Sequence, residues 1–333
     1  MLEWHKTVFT EHELERLDVC DVCGSPSHTS QLLFNKLGLS VVKCLQCGIT
    51  YVNPRLRRDI LWQRYSQDFF QNEYLPQHGD YDEQANYNIH FPYLRQLGQI
   101  APARGRLFDV GCAIGLFLAA ARLDGWEVMG NELSRFAADY ALKRFNIPVI
   151  AGNFETVDLS PGSFDAITMW ETIEHVQSPR TALRKAAALL RPGGVLALST
   201  PNVAGLTFWS LRDRWWVVAP KEHIFYFTPK TITQLLDRTG FEVVKMWTAG
   251  LDYHYLRNMW MGRTVMPWHI HATQMRAQTS ASSDRAAPER QAMLAWPSLK
   301  RRAINLIARI VRRTTLGDSM VVYAVRKGQP EPE

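Results

Sequence analysis

Four of the five cysteines fall in two pairs, Cys20-Asp21-Val22-Cys23 and Cys44-Leu45-Gln46-Cys47, with 20 residues between the pairs. A C-x-x-C turn sets two thiolates on one side of the chain. A short ribbon that joins two such turns offers four sulfurs in the tetrahedral arrangement zinc favours. Gly24 and Gly48 follow the pairs directly and supply the permissive backbone such turns need. A disulfide pair and a redox motif are the competing readings. The first residues, Met1-Leu2-Glu3-Trp4-His5-Lys6, show no secretory leader, so a reducing cytoplasmic setting is expected, and duplication of the motif argues against a redox pair. Four thiolates leave no open coordination position. Cys20, Cys23, Cys44 and Cys47 are therefore expected to hold a structural Zn2+ that staples the fold. Cys112, in an apolar setting, reads as a packing residue.

A second group of residues points to a nucleoside ligand. Arg106-Leu107-Phe108-Asp109-Val110 reads as a buried strand, Gly111-Cys112-Ala113-Ile114-Gly115 as a tight turn, and Leu116 to Asp124 as a helix. A strand, a glycine turn and a helix N-terminus let a ligand approach the backbone closely. Glu132 stands 21 residues past Gly111, at the end of a second strand pattern. A carboxylate there can accept both hydroxyl protons of a ribose.

His175 and His223 are the candidate bases, because imidazole titrates near neutral pH. Each reads equally well as a capping or loop-ordering histidine. His175 is expected to start a helix after the strand Phe164–Trp170, at the carboxyl edge of the sheet. Glu171, Glu174 and His175 are close enough in sequence to gather a divalent cation, although hydrogen bonding is the simpler expectation.

These residues need a frame. The chain has 333 residues, 46% hydrophobic and 21% charged, which is ordinary for globular protein and excludes disorder, collagen and coiled coil. No apolar run approaches the ~20 residues that span a bilayer. Further strand patterns lie at 148–151, 164–170, 195–199, 241–244 and 320–325, with helical patterns at 179–190 and 228–239. Alternating strands and helices imply a parallel sheet with helices on both faces. Residues 56–104, rich in aromatics, read as a helical connector or lid, with packing preferred over ligand contact.

The basic excess is local. Eight basic residues stand against Asp318 between Ser298 and Lys327, and their +7 exceeds the net +6 of the whole chain. Within that stretch Leu299–Arg313 has an apolar arc opposite an arginine arc at helical spacing. It reads first as a covering helix, and alternatively as a peripheral contact with an anionic membrane surface, the inner face of the membrane for a cytoplasmic protein. The expected organisation is a zinc ribbon at 1–55, the connector at 56–104, a ligand-binding core at 105–250, an insertion at 251–317, and a final strand and tail at 318–333.

Several segments resemble class I S-adenosylmethionine-dependent methyltransferases. Leu107 to Gly115 looks like their first motif, and Asn131-Glu132-Leu133-Ser134 like their ribose-binding acidic motif. Phe164 to Val176 resembles the fourth-strand motif, and Leu190 to Val195 the turn into the fifth strand. Ser199-Thr200-Pro201-Asn202 and Glu222 to Pro229 recur in the small-molecule branch, which includes ubiquinone-pathway O-methyltransferases. Zinc-ribbon-bearing members extend the resemblance to the N-terminus. Ala113 departs from the pattern, since many members carry glycine there, and no motif covers Gly250 to Gly317.

The resemblance implies a Rossmann-like doubly wound α/β sheet of about seven strands, the last antiparallel, with a small N-terminal zinc ribbon. It implies S-adenosyl-L-methionine as cofactor, held by Asp109, Gly111, Ala113, Gly115, Glu132, Leu133, Asn153, Phe154 and Trp170, with Glu171 beside the transferred methyl and His175 or His223 as base. The acceptor is then a small metabolite such as a sugar, a lipid-linked or a natural-product intermediate. An RNA methyltransferase is a weaker expectation, because only Lys36 and Lys43 are basic between Cys20 and Cys47 and phosphate binding needs more. An NAD-dependent oxidoreductase would normally carry a third glycine in the turn. A binding module with a decayed cofactor fold fits poorly with intact motifs.

Overall fold

The computed structural model describes residues 7–78, 82–101, 103–251, 311 and 314–328. The basic segment Leu299–Arg313 lies outside the described residues except for Val311. The chain opens with β1 (Leu14–Glu15), β2 (Ser30–Lys36), β3 (Leu39–Cys44), β4 (Thr50–Val52) and β5 (Arg55–Leu56). β2 and β3 form a hairpin that turns on Leu37 and Gly38, both at positive φ, as a two-residue turn matched to strand twist requires. Short helical turns then cover 58–78, followed by the helix α1 (Glu83–Ile100).

The core continues with β6 (Arg106–Val110), α2 (Leu116–Leu123), β7 (Glu127–Glu132), α3 (Arg135–Phe145), β8 (Val149–Ala151), β9 (Phe164–Trp170), α4 (Pro179–Leu189) and β10 (Leu190–Pro201). It ends with α5 (Leu206–Leu211), β11 (Phe225–Tyr226), α6 (Pro229–Arg238), β12 (Phe241–Ala249) and β13 (Ser319–Arg326). Seven strands form one sheet in the order β12-β13-β10-β9-β6-β7-β8. Strands β6 to β10 run parallel, and β13 is antiparallel to both of its neighbours. The expected doubly wound sheet with an antiparallel last strand is therefore present. Its strand order reverses between β6 and β9, and ligands bind open α/β sheets outside the carboxyl ends of strands at such a switch point.

Side chains alternate across this sheet with period two, as the pleat demands. Phe108, Ile167, Leu196, Leu198 and Val322 join one apolar cluster with Leu183 of α4 and Leu235 of α6. Leu107, Ala166, Val195, Ala197 and Tyr323 join another with Leu94 of α1 and Leu118 of α2. The first cluster runs on into the N-terminal lobe through Val41, Ile49, Tyr51 and Val52. The small sheet of that lobe has the order β11-β4-β3-β2, so one of its four strands comes from residues 225–226 of the core.

Helix boundaries follow local chemistry. Ser178 caps α4, its Oγ accepting from the Thr181 amide at 3.1 Å, with Pro179 in the first turn. Thr228 and Pro229 do the same for α6. A proline whose missing N–H costs nothing at the first position, behind a hydroxyl cap, fixes where a helix starts.

Candidate functional site

Two pseudo-equivalent knuckles gather the cysteines. The Gly24 amide donates to the Cys20 carbonyl at 2.8 Å and the Gly48 amide to the Cys44 carbonyl at 2.9 Å. Gly24 and Gly48 have φ of 78° and 80°, with nothing closer than 3.9 Å to an added Cβ, so backbone conformation rather than crowding calls for glycine there. The Cys20 and Cys47 sulfurs lie 3.7 Å apart, as do those of Cys23 and Cys44. A tetrahedron with metal–sulfur bonds of about 2.3 Å has edges of about 3.8 Å, so the donor set fits zinc. Hydrogen bonding to Cys47, together with burial, pushes the Cys20 thiol well above its usual value. Burial also opposes ionisation of Cys44, but Ser25 and the Cys47 and Gln46 amides outweigh it and bring that thiol down to about 6.

The second site is a cavity of about 490 Å³ at the carboxyl ends of β6, β7 and β9. Gly111, Ala113, Glu132, Leu133, Asn153, Phe154, Trp170 and Glu171 line it. The Glu132 carboxylate is buried and accepts from the Ala113 and Ser134 amides, each at 3.0 Å. Burial raises its pKa against the pull of those amides. Two buried donors that line the cavity, Asn153 Nδ2 and Trp170 Nε1, have no partner among the described residues. Most buried polar groups in proteins are hydrogen-bonded, so two unpaired donors that line a cavity suit a ligand carrying acceptors.

Asp109 and Gly115, expected among the donor-binding residues, are not among those that line the cavity. Asp109 is buried behind it, accepts from Thr168 Oγ1 at 2.6 Å, and has its carboxyl pushed up to about 8 by burial. Gly115 has φ of 84°, and a Cβ there would meet Ala141 of α3 at 2.9 Å. It is glycine for helix packing rather than for ligand approach.

His175 and His223 also line the cavity and meet edge to face, with ring centroids 4.7 Å apart. His175 does not start a helix. It lies in the turn between β9 and α4, since the Ser178 cap delays the helix to Pro179. His175 Nδ1 is 3.0 Å from the Glu222 carbonyl and His223 Nδ1 is 2.7 Å from the Val217 carbonyl. A carbonyl can only accept, so each Nδ1 carries the proton and each Nε2 keeps its lone pair. Burial, and then His223, lowers His175 to about 3, and burial also lowers His223. Both rings are therefore neutral at pH 7.

Glu174 is 1% exposed, and burial with the neighbouring Glu171 pushes its carboxyl pKa well above the usual carboxylate value. Glu174, His175 and His223 lie close enough to share an ion; His223 takes the place expected of Glu171, whose carboxylate lies 3.5 Å from Ser319 Oγ.

The segment 58–78 closes the remaining side. Tyr65 Oη lies 3.1 Å from His175 Nδ1, and Arg64 joins Glu73 through two 2.7 Å contacts and Glu222 at 3.2 Å. Trp62, Phe69 and Trp216 add apolar surface. Sequence reasoning placed the aromatics of this segment but did not assign Arg64, Tyr65 or Trp216 to the site. They meet His175 and Glu222 only through the tertiary fold, and no local spacing marks them.

Residues 81–246 match the methyltransferase-domain family. Among named relatives, a ubiquinone biosynthesis O-methyltransferase of Coxiella burnetii is 27% identical over 187 residues, covering 51% of this chain and 76% of the relative. One of Xanthomonas campestris is 38% identical over 111 residues, covering 31% of this chain and 46% of the relative. A SAM-dependent methyltransferase structure from Archaeoglobus fulgidus aligns over 72% of this chain and 94% of its own, at 16% identity and a TM-score of 0.46. One from Mesorhizobium loti aligns over 71% and 97%, at 18% identity and a TM-score of 0.45.

Proposed function

We propose that this chain, an S-adenosylmethionine-dependent methyltransferase, acts on a hydroxyl of a small metabolite, with His175 or His223 taking the proton. When bound, S-adenosylmethionine supplies a methyl group already activated by its sulfonium. The chain's own residues then have three tasks, namely to hold donor and acceptor in line, to exclude water and to remove a proton. The Gly111–Ala113 turn and Glu132 would hold the donor's methionine and ribose ends, and Asn153 and Phe154 its adenine. The observation that carries the reading is one cavity lined both by Glu132 and by two neutral imidazoles, each with its Nε2 lone pair available. The names of the Coxiella and Xanthomonas relatives favour oxygen over nitrogen or carbon as the acceptor atom.

The test is a panel of hydroxylated sugars, phenols and lipid-linked intermediates incubated with radiolabelled donor, beside calorimetric titration with S-adenosylhomocysteine and with NAD. Label transfer and selective S-adenosylhomocysteine binding are expected. Binding of NAD instead would overturn the reading.

Two further proposals complete it. Cys20, Cys23, Cys44 and Cys47 hold a structural Zn2+, supported by their spacing and the 3.7 Å sulfur contacts. For the basic segment Leu299–Arg313 the sequence pattern favours a covering helix, with a peripheral membrane contact as the alternative; failure to float with anionic vesicles at low salt would end that alternative. No helix among the described residues is long and apolar enough to cross a membrane.

A further inference from the structure

The turn 171–178, which carries His175, is bonded to the N-terminal lobe at three points. First, β11 pairs with β4, and between them the Val52 amide donates to the Ile224 carbonyl at 3.0 Å. The Ile224 and Phe225 amides in turn donate to the Glu174 carbonyl at 2.9 and 3.2 Å. His223 is the residue just before this strap. Second, Arg55, whose side chain is 7% exposed, donates through Nη1 to the Gln177 carbonyl at 2.8 Å and through Nε to Glu15 of β1 at 2.6 Å.

Third, the first knuckle itself clasps α4. Asp21, between Cys20 and Cys23, accepts from Ser178 Oγ at 2.8 Å and from the Arg180 amide at 3.2 Å. Arg180 Nη2 returns to the Cys20 carbonyl at 3.3 Å. An aspartate accepting from the first-turn amide of a helix adds a charge-favoured cap. Here that cap is supplied from another lobe, and from inside a metal-ligand turn.

We propose that the cysteine knuckle is the positioning element of the two-histidine wall, with Asp21 as the positioning residue that transmits its geometry to the turn 171–178. This rests on His175 and His223 being the working groups and goes beyond a stapling role for the metal. Asp21 and Arg55 bond the far end of this turn, at Gln177, Ser178 and Arg180, whereas its near end meets the donor side, Thr172 Oγ1 donating to the Val110 carbonyl at 3.2 Å beside Gly111. Loosening the clasp should therefore loosen the histidine wall and spare the donor wall.

Asp21→Ala in the full-length, metal-loaded protein tests this without knowledge of the acceptor. Hydrogen exchange in peptides covering 171–178 and 222–227 should lose protection by about tenfold or more, while 107–116 stays unchanged. Affinity for S-adenosylhomocysteine should stay within about threefold of wild type, well under the tenfold that 1.4 kcal/mol represents. In spectra of protein labelled at histidine 13Cε1, the His175 and His223 resonances should move, and Asp21→Asn, which keeps one acceptor, should restore part of the wild-type positions. If Asp21→Ala does not yield folded protein, Arg180→Met opens the same clasp from the helix side with the knuckle sequence intact.

Unchanged exchange in 171–178 with unmoved histidine resonances overturns the proposal. So does a protection loss shared equally by 107–116, which would make the clasp a general fold contact. Absence of S-adenosylhomocysteine binding in the wild type would count against the functional reading and leave the exchange result to judge the clasp.

Discussion

Glu132 has a structural and a ligand-binding task on one carboxylate. Its two oxygens already accept from the Ala113 and Ser134 amides, yet it stands on the cavity wall where a ribose would offer two more donors. Hydrogen bonds to a charged acceptor contribute about 1.5–3 kcal/mol, so Glu132→Ala should weaken S-adenosylhomocysteine binding about tenfold or more by calorimetry. Wild-type affinity in that variant would mean that the ribose is held elsewhere. His175 gives a pH prediction with a definite sign. Unfolded, its imidazole protonates near ~6.5; folded, burial and His223 hold it to about 3. Between those values the unfolded state binds more protons, so stability rises with pH and is lost as pH falls below the unfolded value. From pH 7 to pH 5 this residue should cost the fold about 2 kcal/mol. Urea unfolding at the two pH values should show a smaller loss in His175→Gln than in wild type. An equal loss in both would mean that the ring is charged in the native state. Catalytically, a base held neutral in this way should leave kcat/KM without an acid limb near 6.5.

The turn between β6 and α2 shows how one element can serve two neighbours. Ala113 sits at φ 47° and donates its amide to Glu132. An L-residue in the left-handed region costs roughly 1–2 kcal/mol, partly offset in a comparison with glycine by glycine's freer unfolded chain. Ala113→Gly should therefore gain about 0.5–1 kcal/mol in urea unfolding. Gly115→Ala combines a left-handed position with a 2.9 Å approach to Ala141, and should lose about 2 kcal/mol or more. A neutral Gly115→Ala would show that α3 can move away. Elements such as this were legible in the sequence because their determinants are local: glycines in tight turns, a helical pattern from Pro179, and period-two alternation in β6, β9 and β10. The paired cysteines were legible for the same reason. Residues joined only by tertiary contact were not. Tyr65 meets His175 across 110 positions of chain, and β11 is a two-residue strand whose partner lies in the N-terminal lobe. Asp109 belongs to the motif but faces Thr168 inside the sheet, since motif membership does not say which way a strand residue points.

At the scale of the whole molecule, the N-terminal lobe has no separate core among the described residues. Cys20, Val22, Leu39, Val41 and Tyr51 belong to the same apolar cluster as Phe108, Leu183, Leu196, Leu235 and Phe241 of the large sheet and its helices. Hydrogen bonding repeats the pattern, because β11 of the core completes the small sheet and Arg55 ties β1 to the turn before α4. A structural metal contributes its binding free energy to folding. Where two lobes share one core, that contribution should stabilise both together rather than the cysteine lobe alone. Purified protein is therefore expected to contain one zinc per chain and to melt in a single calorimetric transition. Removing the metal with a chelator, or Cys44→Ser, should lower that one transition by about 10 °C, given ~2–4 °C per kcal/mol in a domain of this size and a loss of several kcal/mol. A different result would separate the lobes: an early transition for the cysteine lobe with the main one unmoved would mean that the shared cluster does not couple them. A stable, metal-free preparation with the wild-type transition would remove the zinc itself. The coupled outcome has a functional corollary, since the wall carrying His175 and His223 is built where the two lobes meet. Partial metal loss should then show as broadened histidine resonances before any fall in helix content, because the clasp at Asp21 opens before the common core does.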